Sequence, residues 1–254
     1  MPITVLPLNG DKQKPSANKN EAKSDVVIDE IIRKAAAGGP TRSKGDQHTS
    51  VEVTVRPMQE PTHEEAITIE AKKGYDLLFI GLEKMKTPSG AFNSRIDEIA
   101  AAFEGPMATV MAQGKQLEEP TSKTLGVLVP ITGTDVSRRA ADIAFSLGKG
   151  ASITALYVEQ KGWAKAGSGR LSRGQARTIL NDIAEMASRY NAKIETRRVS
   201  DVRPANAILN EAKAGAHDLI VMGVSRRPGE RLYFGDTPTA VLAKSPCSLL
   251  FLST

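Results

Sequence analysis

The sequence predicts an α/β protein made of two tandem doubly wound, parallel-sheet (Rossmann-like) domains, the first lacking its opening strand and helix. Three observations predict this. Strand-like and helix-like segments alternate regularly through residues 123–254, and each parallel crossover needs a helix to return the chain. The phrase Tyr75-Asp76-Leu77-Leu78-Phe79-Ile80-Gly81 reads like His217-Asp218-Leu219-Ile220-Val221-Met222-Gly223, displaced by 142 positions (218 minus 76). Upstream of each phrase, Glu70-Ala71-Lys72-Lys73-Gly74 matches Glu211-Ala212-Lys213-Ala214-Gly215, so the repeat covers a folding unit and not a short motif.

In the second copy, Leu125 to Ile131 is a β-branched and leucine run bounded by Pro and Gly, the composition of a strand buried on both faces. Asp135 to Leu147 places Val136, Ala140, Ile143, Ala144 and Leu147 on one helical stripe. Strand Ser152 to Val158, helix Gly174 to Tyr190, strand Lys193 to Val199, helix Pro204 to Ala214 and strand Asp218 to Met222 follow. A loop, a short helix from about Pro238 and a last strand, Ser248 to Leu252, complete the copy. Ligands then belong at the carboxyl ends of the strands.

The first copy reads as strand 3–8, helix 24–37, strand 51–56, helix 64–73, strand 76–81, helix 95–103 and strand 107–112, with no counterpart of 123–150. Losing an opening strand and helix exposes sheet edge and core. Two explanations are open: Met1 begins inside a domain of a longer protein, or the copy is divergent and another chain supplies its strand. The expected organisation is an incomplete domain at 1–112, a linker at 113–122 rich in Gly, Pro and charge, and a complete domain at 123–254. The stretches 9–23 and 38–50 read as long loops.

Composition excludes several classes. With 40% hydrophobic and 25% charged residues the chain is a normal globular one. Its longest apolar runs, Gly126 to Ile131 and Cys247 to Leu252, fall far short of the roughly 18–20 residues of a membrane span, and residues 1–14, without a basic region ahead of their short apolar run, do not resemble a secretory signal. One cysteine, Cys247, forms neither an internal disulfide nor a zinc site, which suits a reducing, cytoplasmic setting and reads as a buried structural thiol. A net charge of +5 permits phosphate contacts, but eleven scattered aromatics do not build a stacking platform for single strands, so nucleic acid is not expected. His48, His63 and His217 stand far apart, and His63-Glu64-Glu65 lacks the second histidine of a metalloprotease helix. No metal and no enzymatic activity are expected.

Three passages carry a family resemblance: Val129-Pro130-Ile131-Thr132-Gly133-Thr134, Asp218-Leu219-Ile220-Val221-Met222-Gly223, and Ser245-Pro246-Cys247-Ser248-Leu249-Leu250. Together they resemble the universal stress protein family over residues 123–254, and the first copy resembles the same fold without its opening. The resemblance implies a pocket for ATP or AMP. Its residues here are Pro130, Ile131, Thr132 and Gly133 after the first strand, Val199 on the third, Gly223, Ser225, Arg226, Arg227 and Gly229 along the loop after the fourth, and Gly235 and Thr237 at the last helix.

The sequence departs from the family's nucleotide loop. Arg226 stands where a second glycine is expected, Asp236 stands where a third is expected with Gly235 one residue early, and Thr132 replaces an acidic residue. Asp236 reads either as a like charge facing phosphate or, better, as the N-cap of a helix beginning near Pro238. Arg226, Arg227 and Arg231 read either as phosphate ligands or as a solvated loop. Gln160 to Gly174, with Lys161, Lys165, Arg170 and Arg173 around Trp163, reads as a flexible loop or as a basic lid or headgroup contact. The first copy's loop, 81–94, has lost the glycine pattern, and no nucleotide is expected there.

The phrase Gly223 to Glu230 followed by Leu232-Tyr233-Phe234-Gly235 is similar to that of stress-protein domains fused behind bacterial cation/proton antiporters. This resemblance implies a cytoplasmic regulatory region of a sodium or potassium/proton antiporter. Its partner would be an upstream membrane transport domain in the bacterial inner membrane, and its nucleotide binding at most weak. The alternative is a soluble ATP- or AMP-binding stress protein. Domains of this family pair through their last strands, here 107–112 and 248–252, which implies an intramolecular pseudo-dimer or a homodimer.

Overall fold

A computed structural model describes residues 3–5, 53–55, 65, 69, 73–75, 77–82, 105–113, 124–147, 150–160, 169–201, 203–225 and 234–253. The chain separates into two compact units, Met1–Ile67 and Thr68–Thr254. In the first unit, strands β1 (Ile3–Val5) and β2 (Val53–Val55) pair in parallel. The expected helix 24–37 and both long loops lie outside the described residues.

The second unit contains β3 (Leu78–Leu82), β4 (Met107–Met111), β5 (Gly126–Ile131), α1 (Asp135–Ser146), β6 (Ser152–Gln160), α2 (Gly169–Arg189), β7 (Ile194–Asp201), α3 (Pro204–Ala214), β8 (Leu219–Val224), α4 (Asp236–Lys244) and β9 (Ser248–Ser253). Its seven strands form one sheet in the order β3-β4-β9-β8-β5-β6-β7. Every neighbouring pair is parallel except β4 and β9, which run antiparallel from Met107 opposite Ser253 to Met111 opposite Leu249. The sheet is therefore mixed: its strands run parallel within each repeat, as periodicity predicted, and antiparallel only where the last strands of the two repeats meet. Side chains fasten the antiparallel seam: Ser248 Oγ accepts from Gln113 N (3.0 Å), and Ser253 Oγ donates to the Met107 carbonyl (3.3 Å).

Alternation along the strands builds two cores. Val127, Val129, Ile153, Val221 and Leu250 face α1 and α2, where Ala140, Ala141, Ala144 and Ile183 meet them. Leu128, Leu156, Ile220, Leu249 and Phe251 face α3 and α4, against Ile208, Leu209, Val241 and Leu242. Both faces of the central strands are thus covered, as helical crossovers require. Alanines in α1 let that helix approach β5 and β8 closely.

Several boundaries differ from expectation. β6 and β7 run on through Glu159, Gln160, Ser200 and Asp201, because paired backbone at the edge of a sheet tolerates solvated side chains. α1 closes one residue early, with the Leu147 amide bonding back to Ala144. α2 begins at Gly169, so the expected loop Gln160 to Gly174 is a strand end, the undescribed residues 161–168 and a first helical turn. Among the described residues, no helix is long and apolar enough to cross a membrane.

Candidate functional site

Strand order reverses direction between β5 and β8: the chain leaves β5 toward β6 and β7 on one side, and β8 leads to β9 on the other. In an open α/β sheet such a switch point leaves a crevice at the carboxyl ends of the strands. Backbone pairing between β5 and β8 joins Val127 to Leu219 and Leu128 to Ile220, while the two strands continue to Ile131 and Val224.

The wall on the β5 side is a tight turn. Pro130 and Ile131 end the strand and are buried, whereas Thr132 and Gly133 are exposed. Gly133 has φ +82, a left-handed conformation that a side chain would strain, and a Cβ there would meet Ile179 Cδ1 at 2.6 Å. Thr132 Oγ1 lies 2.9 Å from Thr134 Oγ1. Thr134 is the N-cap of α1: its hydroxyl accepts from Ser137 N at 3.3 Å, and buried Ser137 donates to the Thr134 carbonyl at 2.9 Å. The Thr134-x-x-Ser137 spacing was the readable signal for this cap, and the sequence reading did not use it.

The wall on the β8 side assigns Gly223 a structural task. A Cβ on Gly223 would stand 2.3 Å from the Val136 carbonyl oxygen, 2.5 Å from Val136 C and 2.9 Å from Ser137 N. The first turn of α1 thus lies directly on the strand, and only glycine fits. Ser225 follows β8 and is exposed. Arg226, Arg227, Gly229 and Arg231 lie outside the described residues, as do Lys161, Trp163 and Lys165 and the side chains of Arg170 and Arg173.

Opposite stands the amino end of α4. The helix begins at Asp236 with Gly235 as N-cap, so Asp236 occupies the first helical position and is not itself the cap. The reason is conformational: Gly235 has φ +96, which glycine adopts freely. Asp236 in the first turn complements the helix dipole. Among the described residues, a Cβ on Gly235 would meet only Pro238 Cδ, at 3.9 Å. Thr237 lies in the same turn, half-buried. Val199, on edge strand β7 opposite Val158, packs against the α3/α4 core.

Thr132 and Gly133 thus follow β5, Gly223 and Ser225 stand at the end of β8, Gly235 and Thr237 start α4, and Val199 lies two strands away from β5. Hydroxyls and a helix start are groups that suit a sugar and a phosphate. Asp218, in contrast, lies at the far end of the sheet, where its carboxylate accepts from Gly126 N at 2.9 Å and its amide donates to the Gly126 carbonyl. Cys247 also lies at that end; burial, and secondarily the Asp218 carboxylate, push its thiol above the ordinary range. Nearby, Arg197 bonds Glu195 and Glu211 at 2.7 Å each, and buried His217 stands 3.7 Å from Glu211. Among the described residues, no three His, Cys, Asp or Glu side chains are placed to hold a metal ion.

Comparison with known proteins adds three findings. The model of the universal stress protein family matches residues 126–253. A universal stress protein of Methanocaldococcus jannaschii is 31% identical over 135 residues, which span 49% of this chain and 79% of that protein. The crystal structure of a universal stress protein from Archaeoglobus fulgidus superposes with a TM-score of 0.56 at 16% identity, covering 98% of this chain and 84% of that one, a likeness of fold. An Arabidopsis thaliana member solved with AMP bound gives a TM-score of 0.41 at 14% identity, over 51% of this chain and 91% of that one.

Proposed function

We propose, from the premise that this chain belongs to the universal stress protein family, that it is a ligand-sensing regulatory region and not an enzyme. In this reading the crevice between β5 and β8 takes an adenine nucleotide weakly. The pair of repeats, on the cytoplasmic side of a bacterial inner membrane, biases a sodium or potassium/proton antiporter whose membrane domain lies upstream. The observation that carries the nucleotide reading is the switch point between β5 and β8, with the exposed Thr132 hydroxyl after β5 and a helix started by Gly235 after β8. Thr132 and Ser225 would hold the ribose or base, and the amides at the start of α4 the phosphates. The bound nucleotide would supply charge and shape for recognition.

Two features weaken that affinity. Asp236 already places negative charge in the turn a phosphate would approach. Thr132 offers a hydroxyl where the family's nucleotide binders carry an acid. The binding role, in preference to catalysis, rests on the partner of Thr132 Oγ1, which is another hydroxyl, Thr134 Oγ1, and not a base. The antiporter role rests on the likeness of the 223–235 loop to antiporter-fused domains. It requires the nucleotide to bind two conformations of the whole protein unequally.

Calorimetric titration of ATP, ADP and AMP into the 254-residue chain tests the site. Weak saturable binding is expected, and Thr132→Asp should tighten it roughly tenfold, because a charge-assisted hydrogen bond contributes about 1.5 kcal/mol or more. Absence of heat and of thermal shift at millimolar nucleotide in both proteins refutes the sensing role. Gly223→Val is unsuitable as the blocking variant, since it collides with α1 before any ligand is present.

A further inference from the structure

The two halves of the seven-stranded sheet carry the same phrase in different surroundings. β8 is flanked by β9 on one side and β5 on the other, whereas its repeat counterpart β3 pairs with β4 and, among the described residues, has no strand on its second edge. Position by position the difference is physical. Val221 is 0% exposed beneath α1, yet its counterpart Phe79 is 58% exposed. At Gly223 a Cβ would strike the backbone of α1, yet at its counterpart Gly81 a Cβ would meet nothing within 4 Å. The opposite face of β3 is closed, with Ile80 only 3% exposed. Among the described residues, one face and one edge of β3 are therefore open, and they are those that β5 and α1 cover in the other half.

The strand itself is unprotected. Leu78-Phe79-Ile80-Gly81-Leu82 contains no charge and no proline, the usual devices that blunt an exposed edge. An apolar strand of this kind belongs in a parallel sheet covered on both sides. We infer that the edge of β3 and the face bearing Phe79 and Gly81 form a docking surface for a strand-then-helix segment of a partner polypeptide. The segment adds in parallel, as β5 adds to β8, and its helix lays its first turn on Gly81. The occupant is defined by chemistry: an apolar strand of about six residues, a short glycine-containing turn, and a helix whose inner stripe is small enough to touch glycine. A second copy of this chain fits poorly. Two-fold pairing of one edge with itself is antiparallel and leaves the space above Gly81 empty.

The chain's own β5–α1 sequence supplies a probe. A fluorescein-labelled synthetic peptide of residues 123–147 is titrated with the intact 254-residue chain and followed by anisotropy, with light scattering on the protein alone. The expected result is a monomeric protein that binds the peptide saturably. Gly81→Val should weaken binding at least tenfold with an unchanged urea midpoint, because the substituted side chain enters open space in the free protein and the helix seat in the complex. Phe79→Ser should weaken it as well, and serves if Gly81→Val fails to fold. The inference is overturned by absence of binding at millimolar peptide, by binding that both variants leave intact, or by a dimer that Phe79→Ser converts to monomer, which would make the occupant a second copy.

Discussion

Replacing Gly223 by alanine isolates the contact between β8 and α1. The new Cβ would lie 2.3 Å from the Val136 carbonyl oxygen, against an ordinary contact of 3.4 Å or more. Strand or helix must therefore shift by about 1 Å, and overpacking of this kind costs about 1–3 kcal/mol. The shift falls on the turn where Thr134 caps α1 through Ser137 N, and a weakened cap adds about 1 kcal/mol. The expected loss is about 2–4 kcal/mol, several degrees in Tm for a unit of this size. Urea unfolding followed by circular dichroism measures it, with Gly81→Ala as internal control. Nothing lies within 4 Å of a Cβ at Gly81, so the control should change stability by no more than about 0.5 kcal/mol. Equal effects of the two substitutions would refute the assignment of Gly223 to packing.

Cys247 is buried and its thiol is held protonated by that burial, so Ellman's reagent should react only as fast as the chain unfolds; reaction within seconds in native buffer would contradict the packing of β9. The Arg197 guanidinium, by its hydrogen bond, holds the Glu195 carboxyl below its ordinary value of 4.5. A lowered folded-state value stabilises the fold above that pH and ceases to do so as pH falls through the lowered value. Glu195→Gln should therefore be less stable than the parent at pH 7, with the gap shrinking as pH falls below 4.5, by urea midpoints; a gap that does not change with pH would show that the ion pair is not its cause.

Local pattern made the second half of the chain legible. Alternating cores such as Val127/Leu128 and Ile220/Val221 are written in residue order, and the glycine after Ile80 or Met222 stands one residue before the strand's last. What local pattern could not carry was partnership. No local pattern near Met107 indicates that its strand lies antiparallel to β9, because that pairing joins segments 146 residues apart; only the family resemblance set 107–112 beside 248–252. Nor does a glycine state its reason. Gly223, read from the family resemblance as part of a nucleotide loop, is also where a helix touches a strand, whereas Gly235, apparently one residue early, provides the φ of +96 that starts α4. Asp236 was misplaced by one position for the same cause. The loop arginines Arg226 and Arg227 stay a matter of sequence, since the described structure stops at Ser225 and resumes at Phe234.

The antiparallel seam also sets a schedule for biosynthesis. β4 is synthesised well before the strand that covers its second edge, and its Met107 end waits for the last residues of the chain, through Ser253. At about 5–20 residues per second that interval is roughly 7–30 s. Throughout it, β4 presents an apolar edge to solvent while the later βα units fold. In this window the nascent chain exposes the β4 edge in addition to whatever the finished protein leaves open, and a chaperone would act on it there.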